Sequence, residues 1–290
     1  MSIAFCYPGQ GVQHVGMAEG FVKADSAYAD MVAKASEASG IDMNKLLFEE
    51  NEDINITEYT QPALVTACCI ITDALLLAGI KPDVTAGLSL GEYCSLYVAG
   101  ALGFEDAVRL TRIRGRLMSS AVPAGEGTMA AVIGLTQEQV EAVTNTIENV
   151  WPANFNCPGQ IVITGKKEAV HEAMPKLSEA GAKKVVELNV SGPFHSPLLK
   201  VAGEELGKEL ANVEMKDLEI PYFANASAAK IEDKAQIKDL LEKQVYSPVK
   251  WEQTLYELEK MGVDTIIEVG PGKTIAGFVR KTVPSIKVIG

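Results

Sequence analysis

Residues 87–91 read Gly87-Leu88-Ser89-Leu90-Gly91, a G-x-S-x-G pentapeptide between the short apolar stretch Val84-Thr85-Ala86 and helical apolar spacing from Glu92. Between a strand and a helix this pattern makes a sharp turn, permitted by its glycines, that exposes a serine hydroxyl as a nucleophile; the plain alternative is an ordinary turn. A nucleophilic serine needs a base, and imidazole is the usual partner near neutral pH. Three histidines are available. His171, mid-helix in Glu168-Ala169-Val170-His171-Glu172, reads as solvated surface. His14 sits in a loop beside the first strand. His195, in Ser191-Gly192-Pro193-Phe194-His195-Ser196-Pro197, lies in an irregular segment bounded by Pro and Gly; it reads as the base, or else as a loop residue capping the next helix.

Four arginines follow at 109, 112, 114 and 116. On a helix, 109, 112 and 116 share one face and read as surface charge, whereas Arg114 points elsewhere. An inward guanidinium needs an anionic partner, and its planar fork suits a carboxylate, so a substrate with a free carboxylate is implied. Pro8-Gly9-Gln10-Gly11 lets backbone N–H groups approach a ligand closely, and the N–H after the nucleophile, that of Leu90, is the usual second oxyanion donor. A plain turn at residues 8–11 is the other reading.

The elements that must position these groups alternate strand and helix. Ile3 to Tyr7 reads as a buried first strand delivering the Gly-rich loop. Gln61-Pro62 is expected to open a long apolar helix closed by Gly79 and Pro82, and residues 104–120 form another helix. Beyond the breaker cluster Pro123–Gly127 the order becomes strand 129–135, helix 136–149, strands 151–154 and 161–164, helix 166–180 and strand 184–188. This βαββαβ order is that of a ferredoxin-like module. Helix and strand then alternate again, with helices over 197–212, 234–244 and 251–261, strands over 220–224 and 265–269, and a last helix after Pro271-Gly272. A small module inserted in a larger α/β domain is the economical reading, with the site in the cleft between them.

The chain has 290 residues, 47% hydrophobic and 22% charged, enough for a substantial core. Its net charge of −12 offers little field to a phosphate backbone, which argues against nucleic acid. The acid-rich stretch 19–58 reads as a solvated helical face. Five cysteines without C-x-x-C spacing suggest neither a disulfide framework nor a thiolate metal site, and fit a reducing, cytoplasmic setting. The N-terminus does not read as a signal peptide. The apolar stretch 62–80 carries Thr66, Thr72 and Asp73 and reads as a buried helix, so no membrane partner is expected.

Tyr7-Pro8-Gly9-Gln10-Gly11, Gly87-Leu88-Ser89-Leu90-Gly91-Glu92-Tyr93, Arg114-Gly115, Asn154-Phe155-Asn156-Cys157-Pro158-Gly159-Gln160, Gly192-Pro193-Phe194-His195-Ser196-Pro197 and Glu268-Val269-Gly270-Pro271-Gly272-Lys273 occur in this order. Together they resemble the bacterial malonyl-CoA:acyl carrier protein transacylase family of acyltransferases. The resemblance implies that Ser89 is acylated, that His195 is general base and acid, and that Arg114 clamps the malonyl carboxylate. It further implies that the Gln244 backbone carbonyl stands behind His195 and that the Gln10 and Leu90 amides form the oxyanion hole. The implied fold is α/β: an α/β-hydrolase-like large domain over 1–124 and 192–290, with a ferredoxin-like insertion over 125–191. Malonyl-CoA and an acyl carrier protein are the implied partners, with malonyl-CoA a substrate and no cofactor or metal required.

Leu88 departs from the family, which usually has His before the nucleophile; Phe194 resembles malonyl-selective members. Competing readings are an acyltransferase of a polyketide pathway, a serine thioesterase or hydrolase with the same elbow and base, and a non-catalytic carrier-binding scaffold. Because acyl carrier proteins are typically acidic, docking on this chain requires local positive patches. Candidates are Lys166, Lys167, Lys176, Lys183 and Lys184, and Lys273, Arg280, Lys281 and Lys287 in a tail without acids after Glu268.

Overall fold

The structure, a computed structural model, describes residues 2–290. In chain order the elements are β1 (Ile3–Tyr7), α1 (Glu19–Ala24), α2 (Ser26–Ser39), α3 (Met43–Phe48), α4 (Thr57–Leu77), β2 (Val84–Gly87), α5 (Gly91–Val98) and α6 (Phe104–Ser120). There follow β3 (Gly127–Ile133), α7 (Gln137–Thr144), β4 (Val150–Cys157), β5 (Gln160–Lys166), α8 (Lys167–Glu179) and β6 (Lys184–Glu187). The chain then runs through α9 (Lys200–Ala211), β7 (Tyr222–Phe223), β8 (Lys230–Ile231), α10 (Ile237–Tyr246), β9 (Val249–Lys250), α11 (Trp251–Lys260), β10 (Thr265–Glu268), α12 (Thr274–Thr282) and β11 (Lys287–Ile289).

A six-stranded sheet has the order β11-β10-β1-β2-β7-β8, parallel except for β8. Alternation along β1 explains its burial on both faces. Phe5 and Tyr7 enter a core built with α4, α5 and α6, while Ala4 and Cys6 enter a second one built with α11 and α12. The second sheet has the order β6-β3-β5-β4-β9; its first four strands are antiparallel, and β9 joins β4 in parallel from outside the 125–191 stretch. Ala130, Val132, Ile161 and Ile163 face α7 and α8 in a core of their own. Met129, Ala153 and Val162 belong instead to the main core, so the second sheet is held on both faces.

Several boundaries differ from the sequence reading. The long helix starts at Thr57, not Gln61, and Pro62 lies inside it. Proline removes the N–H that would bond the Glu58 carbonyl and normally breaks a helix there. Arg112 Nη1 on α6 supplies the missing donor to that carbonyl at 3.0 Å, while its guanidinium lies 4.4 Å from the Tyr59 ring centroid. Arg112 is therefore not mere surface charge. By length and composition α4 could cross a membrane, yet 67% of its apolar window is inside the fold. The expected strand 220–224 shrinks to β7, and the helix expected to reach residue 149 ends at Thr144 after starting on the Thr136 and Gln139 capping box.

Candidate active site

The carboxyl ends of β1, β2 and β7 meet at one place, where ligands commonly bind in parallel sheets. Ser89 occupies the turn from β2 to α5 with φ 51°, in the left-handed region. A Cβ on Gly87 would sit 2.0 Å from the Gly91 carbonyl, and one on Gly91 would sit 2.5 Å from the Tyr7 oxygen. The two glycines are thus dictated by backbone packing, and the strained turn is tied down from outside. Asn225, just past β7, accepts from the Ser89 N–H through Oδ1 and donates through Nδ2 to the Gly87 carbonyl, both at 2.6 Å.

His195 follows β6 in a loop, at φ 57° and 4% exposed. Its Nδ1 lies 2.8 Å from the Gln244 carbonyl at the end of α10. A carbonyl only accepts, so Nδ1 carries the proton and Nε2 presents its lone pair. Nε2 lies 2.7 Å from Ser89 Oγ. Arg114, 1% exposed on the inner face of α6, donates from Nη2 to the same Oγ at 3.1 Å. Because guanidinium cannot accept, the single hydroxyl proton of Ser89 must point at His195. Arg114 also donates from Nη1 to Gln61 Oε1 at 2.8 Å and from Nη2 to Gln244 Oε1 at 2.9 Å. Its partners at the fork are all neutral, two amides and the Ser89 hydroxyl, and its Nε has none among the described residues, so a carboxylate can add the charge-assisted bonds that they do not supply.

Electrostatics match this arrangement. Burial, and next the Arg114 charge, press the His195 imidazole down to about 4, so it is neutral at ordinary pH. Burial also lowers Arg114 from its ordinary value, while Tyr93 and Glu92 oppose that shift. The fully buried Glu92 carboxyl is pushed up to about 7 by desolvation, against its hydrogen bonds to Gln244 and Asn225 and the charge of Arg114. The Gln10 and Leu90 backbone N–H groups have no hydrogen-bond acceptor among the described residues, as suits donors for an oxyanion. The Gln10 side chain donates to Thr57 Oγ1 at 3.0 Å, which fixes its loop.

The structure brings Ser89, His195, Arg114 and Gln244 together and leaves the other histidines out. His14 is exposed with Nδ1 by the Val15 carbonyl, and His171 faces Glu187 on the surface at 3.1 Å. Leu88 is buried in the apolar cluster that contains Ala86, Phe223 and Trp251. The Glu268–Lys273 motif serves packing, with Glu268 accepting the Ile275 and Ala276 N–H groups at 2.9 Å to cap α12. Among the described residues no group of three metal-binding side chains could hold an ion.

Three buried polar residues escaped the sequence reading: Gln61, Glu92 and Asn225. Glu92 directly follows the G-x-S-x-G glycine, and Asn225 directly follows the expected strand 220–224. Those adjacencies were the available signals. Gln61 had none beyond its place before Pro62.

A family model described as acyl transferase domain matches residues 4–289. The chain is 43% identical to the malonyl CoA-acyl carrier protein transacylase of Bacillus subtilis (strain 168), across 99% of this chain and 92% of that protein. It is 40% identical to the protein of the same name from Staphylococcus aureus (strain MRSA252), across 98% and 94%. Among solved structures, an acyl carrier protein S-malonyltransferase from Vibrio cholerae superposes with TM-score 0.96 at 40% identity, covering 99% of this chain and 96% of that one. A malonyl-transacylase in complex with its type II PKS acyl-carrier protein gives the same score at 35% identity, covering 99% and 95%.

Proposed function

The chain belongs to the acyl transferase domain family, and on that premise we propose that it moves a malonyl group from malonyl-CoA to the phosphopantetheine thiol of an acyl carrier protein, for fatty acid synthesis. One observation carries the reading: Ser89 Oγ touches a neutral imidazole on one side and a buried guanidinium on the other. A simple hydrolase needs the first contact but has no use for the second.

In the first half-reaction Ser89 Oγ attacks the malonyl thioester carbon while His195 Nε2 takes its proton. The oxyanion forms against the Gln10 and Leu90 N–H groups. Collapse breaks the carbon–sulfur bond, and His195 returns the proton to the departing CoA sulfur. In the second half His195 takes the proton of the carrier thiol, whose sulfur attacks the Ser89 ester, and then gives it back to Ser89 Oγ. The Gln244 carbonyl holds the imidazole tautomer throughout. Arg114 binds the malonyl carboxylate with two charge-assisted bonds, whereas an acetyl group leaves it on neutral partners. No metal or organic cofactor enters these steps, malonyl-CoA being a substrate.

Residues 1–124 and 192–290 form the α/β-hydrolase-like domain in this reading and 125–191 the ferredoxin-like insertion. The βαββαβ order and the β6-β3-β5-β4 sheet support the latter. Five unpaired cysteines accord with a cytoplasmic enzyme. A polyketide carrier is the second reading, favoured by the structural neighbour bound to such a carrier; comparing loading rates of the two carriers separates them. The main test is intact-protein mass after mixing with malonyl-CoA, repeated with Ser89→Ala and then chased with acyl carrier protein. A malonyl adduct that needs Ser89 and passes to the carrier supports the proposal. An adduct released only to water makes the protein a thioesterase, and none at all leaves a binding scaffold.

A further inference from the structure

Glu92 is fully buried and has no step in the reaction above. It is the second residue of α5, where the helix N-terminus favours a carboxylate. Its Oε1 has no hydrogen-bond partner, so its bonding runs entirely through Oε2. That one oxygen accepts from the Asn225 N–H at 3.2 Å and from Gln244 Nε2 at 2.7 Å. Asn225 clamps the turn that carries Ser89, while Gln244 holds His195 through its main chain and Arg114 through its side chain. A single carboxylate oxygen therefore joins the supports of the nucleophile, the base and the guanidinium.

The Gln244 carboxamide has two ends of opposite character, and its neighbours decide which way it faces. Nε2 donates to Glu92 Oε2 and to the Ser89 carbonyl at 2.8 Å, leaving Oε1 to accept from Arg114 Nη2. Reversal would set an NH2 group against a guanidinium N–H and aim the amide oxygen at two acceptors. Without Glu92 one of those acceptors is lost, and the amide is held only by the Ser89 carbonyl and by the guanidinium it is meant to position.

We infer that Glu92 is a positioning residue for acyl selectivity: by anchoring the Gln244 carboxamide it fixes the guanidinium plane of Arg114 for the substrate carboxylate. This rests on the reading of Arg114 as the carboxylate clamp. A group that only supports the elbow would serve every acyl thioester alike, whereas this role discriminates between those with and without a carboxylate.

The experiment measures single-turnover acylation of Ser89 by malonyl-CoA and by acetyl-CoA. In Glu92→Leu the malonyl-to-acetyl rate ratio should fall about ten- to a hundredfold, the scale of one lost bond to a charged group. Glu92→Gln keeps an acceptor oxygen at the same place and should restore most of that ratio. Gln244→Met keeps the main-chain carbonyl for His195, removes the link to Arg114, and should lower the ratio even if Glu92→Leu does not fold. On an Arg114→Ala background, Glu92→Leu should move the ratio no further. Equal loss of both rates in Glu92→Leu and Gln244→Met, or an unchanged ratio in both, overturns the inference. If Arg114→Ala alone keeps the malonyl preference, the clamp reading fails and this inference goes with it.

Discussion

At the scale of single residues, proton direction at the site is set by which groups can only donate and which can only accept. The Gln244 carbonyl puts the His195 proton on Nδ1, and Arg114 forces the Ser89 proton toward Nε2. Burial gives the imidazole its pH range. Pressed down to about 4, His195 stays neutral as pH falls through the region where a free imidazole would protonate. The rate constant kcat/KM for acylation by malonyl-CoA should therefore hold level down to about pH 5 and drop only as pH passes through about 4. A drop centred on 6.5 would contradict this. The same shift bears on stability with a definite sign. Between about 6.5 and about 4 the unfolded chain binds a proton that buried His195 refuses, so this residue makes folding less favourable as pH falls through that window. His195→Gln should flatten that part of the unfolding-versus-pH curve. For Arg114→Ala, malonyl acylation should fall and acetyl-CoA become a competitive donor, read by mass on Ser89.

At the scale of elements, α4 and α6 hold each other in helical form. Pro62 leaves the Glu58 carbonyl without its helical donor, and Arg112 answers with a 3.0 Å bond from the neighbouring helix. Arg112→Ala should cost about 1 to 2 kcal/mol, from that bond and the contact with the Tyr59 ring. Pro62→Ala restores the local N–H, so the Arg112→Ala penalty should be smaller on that background. Urea unfolding of the four proteins reads this as a coupling energy, and strictly additive losses would refute it. The β2–α5 turn shows the same dependence on neighbours. Asn225 satisfies the Ser89 N–H and the Gly87 carbonyl, so Asn225→Leu should strip two buried bonds from a strained turn. We expect a drop of several degrees in Tm together with acylation slowed for malonyl-CoA and acetyl-CoA alike. That equality separates Asn225 from Glu92.

At the scale of the whole molecule, the net charge of −12 must be overcome wherever an acidic carrier docks. Lys166, Lys167, Lys183 and Lys184 are exposed, as are Lys273, Arg280, Lys281 and Lys287. Lys176 is less available, being paired with Glu172 at 2.7 Å. Reversing Lys183 and Lys184 to Glu should slow transfer from malonyl-Ser89 to the carrier, and more strongly at low salt, while acylation by malonyl-CoA slows less. Equal slowing of both halves would remove these lysines from the docking surface.

The sequence by itself determined most of the strand and helix order, missing the short β8, β9 and β11, and it marked Ser89, His195 and Arg114 as candidates, the last two chiefly through the family resemblance. Glycines flank a sharp turn and apolar spacing follows helix or strand period, while Arg114 stood out only as lying off the face shared by 109, 112 and 116. Helix ends were less legible. The start of α4 depended on Arg112, which lies 50 residues from Pro62 along the chain and whose donor no local pattern reveals. Only the tertiary structure decided how the site is wired. Glu92, Asn225 and Gln61 look like ordinary polar residues in one dimension, and they become structural because burial strips them of water and obliges each to find its partner in a distant element.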